Sequence, residues 1–213
     1  MSDRRTEILD AAARLIRHQG FQATSIDDVI REAGLCGKAH FYHYFESKEA
    51  LGLAVVERQF ERFAEQGLSI LREPLGDPMD RLNRFVDAIA RAHIDSAFQG
   101  GCPFGNLATE MADENEAFRL RLRSVFDRWS EQLQSVLWEV RPRLVPGVDT
   151  ARLATMVIAV VEGMLIVGRV KRDAAVVEGI ASELQRYLAS QLVGGHGGMV
   201  EAQHAVSAAA AGA

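Results

Sequence analysis

The stretch TSIDDVIREAGLCGKAHFYHYFESKEAL, residues 24–51, decides how the chain is read. Thr24 and Ser25 offer side chains that cap a helix, and Asp27 and Asp28 follow in its first turn, where negative charge meets the positive end of the helix dipole. Ile26, Val29, Ile30 and Ala33 then form its buried stripe, and Gly34 ends it. A third short segment opens a few residues later, Lys38 to Phe45, rich in aromatic and basic side chains. Two short helices joined by a glycine turn make a helix-turn-helix. Ser47 caps a fourth, longer helix, with Glu49 in its first turn and Leu51, Val55, Val56, Phe60 and Phe63 on its apolar side.

Working outward, Ile8, Leu9, Ala12, Leu15 and Ile16 share one face of a first helix that stops at Gly20. On the other side, Pro74, Gly76 and Pro78 break the chain before the helical repeat Met79, Leu82, Val86, Ile89 and His93. Gly100-Gly101-Cys102-Pro103 precedes a short helix, and a long one follows in which Phe118 to Val140 keeps the helical period until Pro142 and Pro146. Asp149 or Thr150 caps a helix that is apolar almost all round, which requires neighbours on two sides. The last helix covers about Ala174 to Leu192. No window alternates with a period of two. The reading is an all-α chain of about nine helices: a three-helix head over 1–47, a larger helical domain over 48–193, and a Gly- and Ala-rich tail over 194–213 that is expected to be disordered.

Composition narrows the function classes. The 213 residues carry a net charge of -5, with 48% hydrophobic and 25% charged side chains, the balance of an ordinary globular protein. That charge argues against coating nucleic acid or an anionic membrane through a broad basic surface, so any DNA contact is local. Two cysteines without a CxxC pair suggest neither a disulfide framework nor a zinc knuckle, and a reducing cytoplasm fits best. The longest apolar run, around Met156 to Val167, is broken by Glu162 and Gly163 and reads as too short for a bilayer, so no membrane partner is expected. The chain has no GxSxG elbow, HExxH, Walker loop or GxGxxG, hence no visible catalytic apparatus, no expected cofactor and an expectation that it is not an enzyme.

Residues 4 to 52 resemble the DNA-binding domain of the tetracycline-repressor-like (TetR) family. The resemblance rests on Ile8, Ala12, Leu15, Gly20-Phe21, Thr24-Ser25-Ile26, Val29, Ala33-Gly34, Phe41 to Phe45 and Ser47 to Leu51. It implies a cytoplasmic homodimer that binds a palindromic double-stranded operator through the third helix of each subunit, and a small-molecule effector that acts from the C-terminal domain, most commonly by releasing a repressor. One departure stands out: Leu35 to His40 separates Gly34 from Phe41, one residue more than family members usually place there.

From the resemblance, Thr24, Tyr42, Tyr44 and Lys48 are carried over as backbone contacts, with Ser25, Gly37 and Ala39 beside them. Lys48 opposes the dipole at the start of its helix, which an anionic partner would explain. Lys38, His40 and His43 are the candidates for base edges, since no acid occurs between Leu35 and Phe45. Tyr44 also reads as core, as do Phe41 and Phe45. Cys36, His40 and His43 lie at metal-ligand spacing, but a fourth ligand is missing and no metal is expected.

The effector pocket is expected among His93, Phe98, Cys102, Asn106, Glu110, Phe126 and Trp129, although most such residues of a helical domain are simply core. Cys102 precedes Pro103 at a helix start, where free amides favour a thiolate, and the segment Gly101 to Leu107 resembles a branch of the family with members that answer electrophiles. A small buried hydrophobe is the other reading of Cys102. The last two helices are the expected dimer surface, with Gly163 and Gly168 letting backbones approach. The rival to a ligand-responsive regulator is a helical protein-interaction module, favoured by residues 1–60, where eight Lys and Arg meet nine Asp and Glu.

Overall fold

In the computed structural model, described for residues 4–194, capping side chains set the helix boundaries. Helix α1 spans Arg4–Gln19, α2 Ile26–Glu32, α3 Lys38–Tyr42, α4 Lys48–Gln66, α5 Pro78–Asp95, α6 Pro103–Met111, α7 Glu116–Glu139, α8 Thr150–Lys171 and α9 Ala174–Ser190. These are the nine α-helices of the described residues, with no strand among them. Of the stretch expected to be disordered, 195–213 lies outside the described residues.

Ser25 caps α2 in a reciprocal box: its hydroxyl accepts from the Asp28 amide and the Asp28 carboxylate accepts from the Ser25 amide. The helix closes at Gly34, whose φ of +61° is open to glycine at little cost, and the Leu35 amide reaches back to the Ile30 carbonyl at 2.9 Å. Ser47 caps α4 through the Ala50 amide at 2.9 Å. Asp77, Asn115, Asp149 and Asp173 do the same for α5, α7, α8 and α9. Helix α3 ends at Tyr42, short of Phe45, where the Tyr44 amide bonds the Phe41 carbonyl three residues back at 3.0 Å and tightens the chain into a turn.

Two cores organise the molecule, and α4 belongs to both. The head core holds Ile8, Leu9, Ala12, Val29, Leu35, Phe41 and Phe45, and the first turns of α4 complete it with Leu51 and Val55. The opposite face of α4 puts Val56 and Phe60 into the body core with Phe85, Phe118, Trp129 and Leu137. One fully embedded head residue crosses over: the Phe21 ring, in the turn between α1 and α2, sits 4.7 Å from Phe118 in the body core, and Ile16 of α1 packs against the same core. That approach needs Gly52, since a Cβ there would lie 2.4 Å from Phe21 and 2.6 Å from Phe118.

Helix α8 is long and apolar enough to cross a membrane by length and composition, contrary to the sequence expectation, because Glu162 and Gly163 interrupt its composition but not its helix. It packs against α5, α7 and α9. One side buries Leu153, Val157, Val161 and Leu165, and the other exposes Ile166, Val167 and Val170.

Candidate nucleic-acid interface and ligand cavity

The aromatic run around α3 divides cleanly between inside and outside. Phe41 is fully buried and Phe45 nearly so, whereas Tyr42, one residue on from Phe41, is 50% exposed. Lys38, Ala39 and His43 are exposed as well, and His40 and Tyr44 are half-buried. Tyr44 packs against the head core while His40 and His43 lie on its ring at 5.8 and 4.9 Å. The buried rings therefore fix α3 from beneath and leave Lys38, Ala39, Tyr42 and His43 on the outer side. Gly37 caps α3 without a side chain, and the exposed Cys36 precedes it. Cys36, His40 and His43 do not come together as a metal-binding group among the described residues.

Three of the expected DNA contacts are engaged differently from expectation. Thr24 is 2% exposed and its hydroxyl donates to the Gly20 carbonyl at 2.6 Å, so it locks the turn instead of facing outward. Lys48 donates to the Gln22 carbonyl at 2.9 Å and sits 4.7 Å over the Phe21 ring. Its partial burial lowers its pKa, and the nearby Glu110 carboxylate pulls the other way. Lys38 is not free of acids in space: Asp27 of α2 lies 3.3 Å from its ammonium. Both groups are well exposed, and an exposed pair of this kind holds weakly and gives way readily to a stronger anion.

Behind the head, a cavity of about 1210 Å³ opens between α1, α4, α5, α6, α7 and α8. Five of the seven expected pocket residues line it: His93, Cys102, Asn106, Glu110 and Trp129. Phe98 and Phe126 do not, because Phe98 packs edge-on against His93 and Phe126 stacks on Trp129. Sequence reading missed the walls supplied by Ile16 and Arg17 of α1, Phe63 of α4, and Leu165 and Arg169 of α8. No local signal marked them, since each lies on a helix with an evident packing role of its own.

The chemistry of the lining is set by burial. His93 is 4% exposed, and burial lowers its pKa, with the Leu165 carbonyl opposing and Arg169 adding to the shift. The ring is thereby held neutral around pH 7. Cys102 caps α6 with its sulfur, which accepts from the Gly105 amide at 3.5 Å, so the expected amide contact is present. The expected thiolate is not favoured. Burial first, and the Glu162 carboxyl beside it second, push the Cys102 thiol well above its ordinary range, against the smaller pull of the Gly105 and Phe104 amides. Burial likewise raises Glu162, partly offset by its hydrogen bond with Cys102. A thiol kept protonated is a poor nucleophile, so the small buried hydrophobe is the better description of Cys102.

Glu110 lines the cavity but spends its carboxylate elsewhere: its two oxygens accept from the amides of Phe21 at 2.9 Å and Gln22 at 2.7 Å. Asn106 donates to the Gly100 carbonyl at 2.6 Å, and Arg17 reaches from α1 to the Gln99 carbonyl at 3.1 Å. The cavity floor thus touches the head at several points.

On the far side, the two glycines expected at a dimer surface part company. A Cβ on Gly168 would meet Val177 at 2.6 Å and His93 at 2.9 Å, so this glycine serves packing within one subunit. A Cβ on Gly163 would meet nothing within 4 Å. The exposed Ile166, Val167 and Val170 lie on the same helix, and Tyr187 of α9 is 45% exposed.

Comparison with known proteins places these features in context. Residues 8–55 match the family model described as bacterial regulatory proteins, tetR family, and residues 78–183 match the LmrA/YxaF-like C-terminal domain of transcriptional regulators. An uncharacterized HTH-type transcriptional regulator in the lacX 3′ region of Lactococcus lactis is 30% identical over 172 residues, covering 81% of this chain and 86% of the relative. The HTH-type transcriptional repressor DhaR of Mycobacterium sp. strain GP1 is 25% identical over 175 residues, 79% of this chain and 84% of that protein. A TetR transcriptional regulator from Chloroflexus aurantiacus superposes with a TM-score of 0.78 at 30% identity, covering 89% of this chain and 96% of the other.

Proposed function

This chain belongs to the TetR family of bacterial transcriptional regulators, and on that premise we propose that it is a repressor that works as a homodimer and leaves its operator when a small molecule enters the cavity behind the head. The observation that carries the DNA-binding part is the split along α3, with Phe41 buried and Lys38, Ala39, Tyr42 and His43 outward. Lys38 is the base-reading side chain: it exchanges the exposed Asp27 for acceptors on a guanine edge. Tyr42 and the Gly37 amide meet the phosphate backbone, and Lys48 joins them on leaving the Gln22 carbonyl.

Dimerisation through α8 and α9 is supported by the apolar side of α8 around Ile166 and Val170 and by the open space at Gly163. Pairing these helices across a two-fold axis builds a four-helix bundle and sets two heads for half-sites about 34 Å apart. The repressor assignment follows the DhaR relative, an HTH-type transcriptional repressor. The effector reading rests on the cavity, where apolar side chains such as Phe63, Trp129 and Leu165 accompany Arg17, Asn106 and Arg169.

A mobility shift with the DNA upstream of the chain's own gene, repeated across salt, tests the proposal. The expected result is a complex of two chains per site whose affinity falls steeply as salt rises. Absence of a shift at every salt concentration would refute it.

A further inference from the structure

We propose that Glu110 is the positioning residue that transmits the state of the ligand cavity to the DNA-reading head, by holding the backbone of the turn between α1 and α2. The inference rests on the DNA-binding reading above and adds the joint through which it is regulated.

The turn is Gly20-Phe21-Gln22. Glu110, at the end of α6, accepts from two successive amides there, 2.9 Å from Phe21 and 2.7 Å from Gln22. Hydrogen bonds to an ionised carboxylate are stronger than neutral ones, and two of them on adjacent amides fix both position and orientation. The Gln22 side chain returns a weaker contact to the Glu110 carbonyl at 3.4 Å. Gly20 sits at φ +85°, and a Cβ there would come within 3.0 Å of the Glu110 carboxylate, so the close approach is built into the turn. On its other side the Gln22 carbonyl takes the Lys48 ammonium at 2.9 Å. Thr24 ties the same loop to Gly20 just before α2 begins, so the clamped turn and the start of the helix-turn-helix are one piece.

The other polar links between head and body end on side chains or on one carbonyl: Arg58 and Arg62 of α4 meet the Asp10 carboxylate of α1 at 3.1 and 2.7 Å. Arg17 holds the Gln99 carbonyl, and Asn115 holds the Glu49 side chain at 2.8 Å. Glu110 alone among these body side chains grips head backbone at two points. It also rides on the helix that begins in the cavity: Cys102 and Asn106 of α6 and its N-terminal turn line the cavity, as does Glu110 itself. A molecule that displaces α6 therefore pulls the turn directly, and with it Lys48 and the orientation of α2 and α3. Because coupling is reciprocal, DNA bound to the head must be felt in α6.

Hydrogen–deuterium exchange on the full chain, wild type against Glu110→Ala and Glu110→Gln, tests this without knowledge of the effector. In the free protein the Phe21 and Gln22 amides should exchange about tenfold faster or more in Glu110→Ala. Addition of a duplex from upstream of the chain's own gene should change exchange across α6 in the wild type. That response should be lost in Glu110→Ala and weakened in Glu110→Gln, whose amide retains one acceptor and the shape of the native side chain. A residue with a merely structural role would shift overall stability and leave the response of α6 to DNA intact. Unchanged exchange at Phe21 and Gln22, or a wild-type α6 response in Glu110→Ala, would overturn the inference. If the wild type binds the duplex and α6 does not respond, the coupling fails while the regulator reading stands; if it binds no duplex, the regulator reading itself has failed.

Discussion

The head and the body of this chain are built from the same material, amphipathic helices around an apolar core, yet they keep their chemistry in opposite places. In the head the informative side chains are local: Phe41 is inside, Tyr42 is outside, and Lys38 lies one turn earlier on the same helix. In the body they are assembled from afar. Cys102 meets Glu162 of another helix, and the cavity takes walls from six helices. The head's function is therefore written along a short stretch of chain, while the body's depends on packing that brings distant residues together.

The sharpest way to break that contrast is to hollow the smaller core. Phe41→Ala should cost about 3–5 kcal/mol and eliminate DNA binding, because no second layer supports α3. The body should retain its own cooperative melt. Thermal unfolding followed by circular dichroism, alongside a binding assay, checks this, and a single unchanged transition would show that the two cores do not differ as described.

The glycines of α8 come next. Gly168→Ala should destabilise the fold by about 1–3 kcal/mol, since its Cβ collides with Val177 and His93. Gly163→Ala meets nothing within the subunit and should leave the folded monomer as stable or more stable by up to about 1 kcal/mol. If the two subunits meet there, the same change weakens dimerisation, which light scattering over a dilution series reads out. Equal melts for both variants would contradict the assignment of Gly168 to intrasubunit packing.

Within the head, Lys38→Ala should cost about 1–3 kcal/mol at the position it reads and alter preference among operator sequences, whereas Lys48→Ala should weaken all sequences alike and reduce the salt slope by about one. Titration of single-base operator variants distinguishes the two. The reverse pattern would exchange their roles.

The smallest effect concerns pH. Burial raises the Glu162 pKa above its ordinary 4.5. The protonated form is then favoured by folding, so this contribution is complete below the unfolded value and is lost as pH rises through the raised one. Glu162→Gln should flatten that part of the stability profile. The lowered carboxylates Asp28, Glu57 and Asp77 act with the opposite sign and at lower pH, so they do not mask it.

Legibility in the sequence followed the same division. The helix count, the caps at Ser25, Ser47 and Asp149 and the separation of Phe41 and Phe45 from the outward side chains were readable, because each depends on neighbours within a turn or two. Lys38 already paired with Asp27, and Lys48 tied to Gln22, were not, since both contacts cross between elements. Glu110 was singled out for the cavity, and it does line it; that its carboxylate faces the Gly20 turn depends on how α6 docks against the head. The two readings of the Cys102 thiol stayed open for a similar reason. Its amides are local, while the burial and the Glu162 carboxyl that outweigh them come from tertiary packing.

The claim beneath all of this is that the outer side of α3 reads base sequence. Equilibrium anisotropy with a labelled duplex from upstream of the chain's own gene, competed by a scrambled duplex of the same composition, tests it most directly. The account predicts a preference for the native sequence of about 10³-fold or more at physiological salt. Equal affinity for the two duplexes would contradict it.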